Sequence, residues 1–198
     1  MIRTFTIIPA LFGITALIIS ACSSGGGGNS GSSENLVGPI TDLQGIWTTG
    51  CRGNGPYSKE TLVFSGSSFT TQEIYYYDSA CENEEWKTNV TGSSVSVGDL
   101  FIFDDNTAGY QFSFKLQTIE YMPLSEDDVQ FLNEETYCGV ENWQKNVAVD
   151  LINKDCSNIT KNTQLLSAFK LVDGRLYLGM SSPTAYPTSV LDTAYTKQ

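Results

Sequence analysis

The chain has 198 residues, with 22 acidic against 11 basic side chains, a net charge of −11 at neutral pH and no histidine. This acidic balance disfavours nucleic acid as a partner, because phosphate contacts need clustered lysine and arginine. The absence of histidine excludes Ser-His-Asp and Cys-His catalysis and most zinc and copper sites, so the sequence predicts neither a metal nor a cofactor.

Residues 1–21 have the pattern of a secretory signal peptide. Arg3 precedes an apolar run from Phe5 to Ile19, which is too short and too close to the start for a transmembrane helix. The sequence Ile19-Ser20-Ala21-Cys22 resembles the lipobox of bacterial lipoproteins. That resemblance implies cleavage before Cys22, a diacylglycerol thioether on its sulfur and a further acyl chain, such as palmitate, on its amine. A plain cleavable signal followed by a chance cysteine is the alternative.

Residues 22–35 combine this cysteine with a flexible tether. Residues 23–33 are almost entirely glycine and serine, which have no apolar surface to bury and form a coil with a reach of about 20 Å. Ser23, and not aspartate, follows the cysteine. By resemblance to Gram-negative sorting signals, this implies a lipid-anchored protein in the cell outer membrane, facing the periplasm or the cell surface. Two or more acyl chains hold a protein stably on a membrane.

Four further cysteines remain, at positions 51, 81, 138 and 156. An even number in an exported protein indicates disulfides. Three connectivities are possible, and we favour Cys51–Cys81 with Cys138–Cys156, since each pair brackets a compact stretch of chain. Zinc binding is the rival interpretation, but the chain has no CxxC pair and no histidine.

Residues 36–198 are predicted to form a single β domain. Runs rich in β-forming residues predict strands over 45–49, 60–64, 69–77, 86–97, 100–103, 110–121, 145–152, 165–172, 175–179 and 191–196. A turn at Ser65-Gly66-Ser67 joins the second and third of these. Asp173-Gly174 is a strong two-residue hairpin signal. Gly92, inside a predicted strand, indicates a bulge or sharp bend.

The clearest strand and the only predicted helix are adjacent in the sequence. Phe112, Phe114 and Leu116 alternate with polar residues, as expected for a strand with one buried face. Pro123 ends this strand. Ser125 and Asp128 then form a capping box, with aspartate in place of glutamate, that opens a short helix.

Eight to ten antiparallel strands with one short helix fit either an up-and-down barrel or a β-sandwich. The stretch Gly45-Ile46-Trp47 resembles the G-x-W signature on the first strand of lipocalins, where the tryptophan plugs the closed end of the barrel. This resemblance favours a lipocalin-like barrel, and the sandwich stays as the alternative.

A second resemblance concerns the C-terminal half. The chain is similar to uncharacterised Gram-negative lipoproteins that place a cysteine-glycine-x-x-x-tryptophan segment before a terminal Leu-Tyr-x-Gly strand. The matching residues are Cys138, Gly139, Trp143, Leu176, Tyr177 and Gly179. The resemblance supports the envelope location and implies no activity.

Without histidine, hydrolysis would depend on a pair of carboxylates. Acidic candidates occur at Glu73, Asp78, Glu84, Glu85, Asp104, Asp105, Glu120 and Asp150. No sequence pattern brings two of them together, so solvated loop acids are the favoured interpretation. The run Asp104-Asp105-Asn106-Thr107 offers oxygens to calcium but lacks EF-hand spacing, and a hairpin turn explains it more simply.

The triplet Tyr75-Tyr76-Tyr77 is the one aromatic cluster that suggests a ligand. Strand alternation places Tyr75 and Tyr77 on one face and Tyr76 on the other, so core packing must account for part of it. A role in stacking against a ligand remains the alternative.

Three functional expectations follow, and the favoured ones are not enzymatic. The first is a binding or structural module, anchored to the membrane by lipid, with a small apolar ligand if the barrel is hollow. The second is an interaction protein or inhibitor that acts on an envelope protein through its acidic loops. The third and least favoured is a carboxylate-dependent hydrolase. A filled barrel with exposed apolar surface favours a protein partner over a small ligand.

Overall fold

The computed structural model describes residues 39–157 and 159–198. The predicted signal peptide, Cys22 and the tether therefore lie outside the described residues. Within the described ranges, no helix is both long enough and apolar enough to cross a bilayer.

Strands dominate the described chain. The helical elements are α1 (Pro39–Leu43), α2 (Glu126–Glu134) and a 3-10 turn (Tyr137–Gly139). The strands are β1 (Gly45–Thr48), β2 (Tyr57–Ser65), β3 (Ser68–Tyr76), β4 (Glu84–Ile102), β5 (Ala108–Pro123), β6 (Val149–Asp150), β7 (Gln164–Val172), β8 (Arg175–Leu178) and β9 (Ala194–Lys197).

Eight of the strands close into an antiparallel up-and-down barrel. Strands β1 to β5 pair in chain order, β5 pairs on with β7, and β9 returns to pair with β1. The short strand β6 lies beside β5 as an extra strand. The barrel prediction is confirmed. The sandwich alternative is wrong, because the strands form one closed sheet.

The meander gives the barrel two different ends. We call one the turn end: it carries the tight turns after β2, β4 and β7, together with α1 and the start of β1. We call the other the loop end: it carries the longer connections 49–56, 77–83 and 124–163, and the connection 179–193 starts there and runs along the barrel wall to the β4–β5 turn, where the Thr188 carbonyl accepts a hydrogen bond from the Asp104 N–H. The short α1 contacts β4, so the chain enters the domain at the turn end.

The turn-end half of the barrel interior is apolar. Phe64, Phe69 and Phe114 form a chain of ring contacts with centroids 4.9 and 5.1 Å apart. Trp47 is buried beside them and its Nε1 donates to the Leu43 carbonyl at 2.8 Å. Trp47, the tryptophan of the Gly45-Ile46-Trp47 stretch, is therefore a buried core residue of the barrel.

The predicted helix is confirmed as α2. The Ser125 side chain accepts a hydrogen bond from the Asp128 backbone N–H at 3.0 Å, which is the expected N-cap. Helix α1 was not predicted from the sequence. It has only five residues and no pattern that distinguishes it from the loop before β1.

Strand β4 is longer than predicted. The runs 86–97 and 100–103 belong to one strand, because bulges at Thr91/Gly92 and Val97/Leu100 let a single strand bend along β5. Gly92 lies at the first bulge, as predicted. A Cβ there would lie 2.6 Å from the Phe114 ring, so the close approach of that ring requires glycine.

The predicted strand 145–152 is largely wrong, and the predicted last strand 191–196 is confirmed with a later start. In the first, only Val149–Asp150 pairs, and Asn146 has a φ of +62° that interrupts extended backbone. The Asp150 carboxylate accepts hydrogen bonds from the backbone N–H groups of Ile119 and Ile152, so side-chain contacts replace part of the ladder. The last strand begins only at Ala194.

Candidate binding site at the loop end

Both disulfides lie at the loop end of the barrel. The pairs are Cys51–Cys81 and Cys138–Cys156, with Cα separations of 5.9 and 4.7 Å. These are the two pairs that the sequence favours. The first joins the loop 49–56 to the loop 77–83, and the second crosses within the connection 124–163. Since cross-links remove freedom from the chain, they make these loops a preorganised surface.

An ion-pair network fills the barrel interior on this side. Glu60 and Glu73 are cross-strand partners on β2 and β3. Arg52 Nη2 lies 2.9 Å from Glu60 Oε2 and 2.8 Å from Glu73 Oε1. Thr71 and Tyr75 donate hydroxyl hydrogen bonds to Glu60 and Glu73, respectively, each at 2.8 Å.

A third strand completes this network. Tyr195 on β9 donates its hydroxyl to Glu60 Oε2 at 2.6 Å. Burial, followed by the charge of Glu73, raises the pKa of Glu60 above its ordinary value. Arg52 Nε is also buried and has no hydrogen-bond partner among the described residues.

The network does not have the geometry of an acid–base pair. Glu60 and Glu73 are close neighbours, but they share one Arg52 nitrogen, and the two other carboxylate oxygens each accept a hydroxyl hydrogen bond. Paired-carboxylate hydrolysis needs one carboxyl that is kept protonated toward substrate. The contacts are those of a structural ion-pair network that closes the barrel interior.

A row of aromatic side chains crosses the loop end beside the network. Tyr75 stacks on Trp86 with centroids 4.6 Å apart and an interplanar angle of 17°. Trp86 continues to Tyr121 at 6.3 Å, and Tyr121 meets Trp143 edge-on at 5.6 Å. Tyr137 packs against Tyr121 at 6.0 Å. The row connects the barrel wall to the connection 124–163, so α2 and its following loop are packed onto the barrel.

Two acidic side chains with raised pKa values lie where α2 meets the barrel. Burial, with a smaller contribution from the Asp128 charge, raises the pKa of Glu85 to about 7. Burial raises the pKa of Asp128 to about 6, against the opposing effect of its hydrogen bond from Tyr121. The Tyr121 hydroxyl lies 3.1 Å from both Asp128 carboxylate oxygens. Tyr77, which is 46% exposed, places its hydroxyl 3.0 Å from Ser125 Oγ.

Two cavities formed by the described residues open on the outer surface. One, of about 520 Å³, lies beside α2 and is lined by Asn133, Thr136, Glu141, Asn142, Trp143 and Gln144. The other, of about 300 Å³, lies on the barrel wall and is lined by Asp105, Thr107, Lys170, Val172, Tyr177, Val190, Leu191 and Asp192. Trp143 Nε1 is buried, and the described residues supply it with no hydrogen-bond partner.

The tyrosine triplet does not form an open stacking platform. Tyr75 is buried in the interior, and Tyr76 is buried with Lys59 Nζ 5.4 Å from its ring centroid. Only Tyr77 presents an accessible ring. The register shift between Tyr75 and Tyr76 explains why simple alternation does not hold here.

Most of the other candidate acids have local structural contacts. Asp78 accepts backbone hydrogen bonds from Ala80, Glu82 and Asn83, and the bond from Asn83 contributes most to lowering its pKa. Asp105 pairs with Lys170 Nζ at 2.8 Å, which holds the Asp105 pKa well below its usual range. Glu120 accepts a long hydrogen bond from Asn89 at 3.5 Å. Glu84 and Asp104 are solvent-exposed.

The run Asp104-Asp105-Asn106-Thr107 forms the turn between β4 and β5. Phe103 donates its backbone N–H to the Thr107 carbonyl at 2.9 Å, and Asn106 has a φ of +63°. In the part of the chain that the structure describes, no group of three or more acidic, cysteine or histidine side chains could hold a metal ion. The hairpin explanation of this run is confirmed.

No protein-family model matches the chain, and no curated protein matches it significantly. The structural class of the protein is therefore assigned from its fold, a closed eight-stranded antiparallel barrel. Function rests on the residues described above.

The sequence did not reveal Arg52, Glu60, Asp128 and Tyr195 as members of the loop-end site. Arg52 follows a cysteine in a loop, Tyr195 lies near the C-terminus, and Asp128 is visible only as a cap residue. Glu60 lies in a predicted strand but is not among the candidate acids. Barrel closure brings Tyr195 to Glu60, and helix packing brings Asp128 near Glu85. One signal was available in the sequence. Glu60 lies two residues from Leu62, so strand alternation places its carboxylate on the same face as an apolar core residue.

Proposed function

We propose that the protein is a lipid-anchored lipoprotein of the cell outer membrane whose barrel is a rigid binding module for an envelope protein. The anchor on Cys22 and the location are supported by the lipobox and the apolar run before it. The partner-binding role is supported by one structural observation, the filled interior of the barrel. No catalytic role is proposed.

The filled interior argues against a small apolar ligand. Inward-facing positions carry phenylalanines that are between 1% and 4% exposed: Phe64, Phe69, Phe112, Phe114 and Phe169. Ligand pockets for small molecules have volumes of about 300 Å³ or more and bury most of the ligand. The two cavities lie outside the barrel; the one beside α2 has a mainly polar lining, and the one on the barrel wall has a mixed lining of charged and apolar side chains. A carrier role is therefore the weaker candidate.

The loop end is the surface best suited to a protein partner. Two disulfides and a packed aromatic row hold its loops in place, so binding would cost little additional ordering. Tyr77 and Val147 are both 46% exposed there. Exposed tyrosine is among the residue types enriched in protein interfaces. The acidic balance of the chain favours a basic partner surface.

Site-specific photo-crosslinking in cells tests this role. A photoreactive residue at position 77 or 147 should give one defined protein adduct, while the same residue at Lys115, exposed on the wall of β5, should give none. Saturable one-to-one binding of an apolar fluorescent dye to the purified protein, with no adduct from either loop-end position, would favour the carrier role instead.

The lipid anchor has its own test. Mass spectrometry of protein extracted from membranes should find the mature chain beginning at Cys22 and carrying acyl chains. Cys22→Ser should abolish acylation and leave the protein unprocessed or released from the membrane fraction. Normal processing and membrane retention of Cys22→Ser would contradict the proposal.

A further inference from the structure

Exposed large hydrophobic side chains concentrate at the turn end of the barrel. Five of the described ones lie on strand positions there, with exposures from 38% to 55%: Ile46, Leu100, Ile102, Leu171 and Val172. They lie near the start of β1, the end of β4 and the end of β7. We call this set the turn-end apolar surface.

Strand register makes part of this surface continuous. Leu100 pairs with Tyr110 and Ile102 pairs with Ala108. The side chains of Leu100 and Ile102 therefore lie on the face of the sheet that lines the barrel interior toward the loop end. Tyr110 pairs in turn with Phe169. Continuing that register by one alternate pair places Leu171 beside Ala108. The hairpin of β4 and β5 therefore projects beyond the filled barrel and exposes its inner face.

The chain enters the domain at this same end. Helix α1 leads directly into β1, and its last residue, Leu43, is fully buried. The residues before it include the glycine-serine tether and Cys22. We propose that the turn-end apolar surface lies on the membrane to which Cys22 is anchored, so that the loop end faces away from the lipid. This inference rests on the proposed lipid anchor.

Two features limit the contact to the membrane interface. Beyond Gly92, the described residues supply β4 with no strand neighbour on the side away from β5, apart from one hydrogen bond from Val95 to Ser67. Unpaired backbone groups are too costly for the hydrocarbon core, so the edge must stay at headgroup depth. The exposed side chain of Asp99 also keeps this edge out of the hydrocarbon core, because a carboxylate is costly to bury there.

Charge selects the kind of lipid. Asp99, Asp104 and Asp173 are exposed at the turn end together with Arg175 and Lys197, whereas Lys170 is paired with Asp105, so one acidic charge is left in excess among these exposed groups. A net acidic surface is repelled by anionic headgroups. The surface therefore fits a zwitterionic bilayer, and anionic lipid should weaken the contact.

Tryptophan quenching in reconstituted vesicles tests the orientation. The lipidated full chain is placed in phosphatidylcholine vesicles with brominated acyl chains, as Ile102→Trp at the turn end or Val147→Trp at the loop end. These positions are matched, since the native side chains are 55% and 46% exposed. The emission added by Ile102→Trp should fall by about half on bromination, because interfacial side chains reach the acyl boundary. Val147→Trp and the native protein should change little, and phosphatidylglycerol should reduce the quenching.

The outcomes separate the orientation from the anchor. Equal quenching of the two variants would overturn the orientation and leave the lipid anchor supported. Absence of quenching in protein that still floats with the vesicles would have the same meaning. Failure of the native protein to float with vesicles would overturn both. Leu100→Trp repeats the turn-end measurement if Ile102→Trp does not fold. If a photoreactive residue at position 102 crosslinked to a second copy of the chain and no quenching were seen, the turn-end apolar surface would be a dimer contact, and the proposal would be overturned.

Discussion

The hydroxyl of Tyr195 donates a 2.6 Å hydrogen bond to the carboxylate of Glu60, although the two residues are 135 positions apart in the chain. Tyr195 belongs to the last strand and Glu60 to the second, with β1 between them. The bond therefore spans the seam at which the barrel closes. It also supplies one of the donors that a buried carboxylate needs.

Removing that donor should destabilise the barrel without changing its shape. Tyr195→Phe keeps the buried ring and leaves one Glu60 oxygen with Arg52 alone. Hydrogen bonds to charged groups contribute about 1.5–3 kcal/mol, and we expect a loss of about 2 kcal/mol in the free energy of unfolding by urea. Tyr57→Phe, half-buried on the opposite face of β2, is the control and should cost less than about 0.5 kcal/mol. Equal losses would contradict a specific role for the Tyr195 bond.

The strands and turns of the barrel could be predicted because their signals are local. Alternation at Phe112 and Phe114 and the Asp173-Gly174 turn depend only on neighbouring residues, and the structure keeps them. The Cys51–Cys81 pairing also follows from spacing along the chain. The resemblance of Gly45-Ile46-Trp47 to lipocalins added the choice of barrel over sandwich.

The loop-end site could not be predicted in the same way. Tyr195 meets Glu60 only because closure brings β9 beside β1, and no local pattern encodes that distance. The strand expected over 145–152 failed for a related reason. Its apolar residues pack against β5 from a loop whose backbone hydrogen bonds go to the Asp150 carboxylate and to Pro123.

Stability should depend on pH through Glu85 and Asp128. Their folded pKa values, about 7 and about 6, lie above the ordinary values of 4.5 and 3.8. A raised folded pKa means that the folded state binds the proton more tightly. Its stabilising contribution is complete below the unfolded pKa and is lost as the pH rises through 6 and 7. We therefore expect the free energy of unfolding to fall between about pH 5 and pH 8.

Glu85→Gln should remove part of this dependence, because the amide does not ionise. Glu85 is half-buried, so solvent screening limits the gain at pH 8 to about 1–2 kcal/mol, with little change at pH 5. Urea unfolding at both pH values measures it. Glu84→Gln, at the exposed neighbouring position, is the control. A native protein equally stable at pH 5 and pH 8 would contradict this account.

The disulfides should matter most for the loop end. Replacing both Cys51 and Cys81 by serine should cost about 2–4 kcal/mol, the usual effect of removing a cross-link from a loop of this size. The paired replacement of Cys138 and Cys156 should have a similar cost. Thermal unfolding of each double variant, with and without reductant, tests this. Reductant should lower the midpoint of each variant less than that of the native protein, and an unchanged midpoint in the native protein would contradict it.

Gly92 should be intolerant of any side chain. A Cβ at this position would lie 2.6 Å from Phe114 Cδ2, and the ring cannot retreat because Phe69 and Phe112 pack against it with centroids 5.1 and 6.0 Å away. Overpacking of a core typically costs about 1–3 kcal/mol, so Gly92→Ala should lower the free energy of unfolding by that amount. Gly98→Ala is the control on the same strand, because its Cβ would meet only ordinary contacts at 3.7 Å. The two substitutions remove the same backbone freedom from the unfolded chain, so the difference between them isolates the clash with Phe114. If Gly92→Ala were as stable as Gly98→Ala, the ring could move, and the bulge would have to be explained by backbone geometry instead.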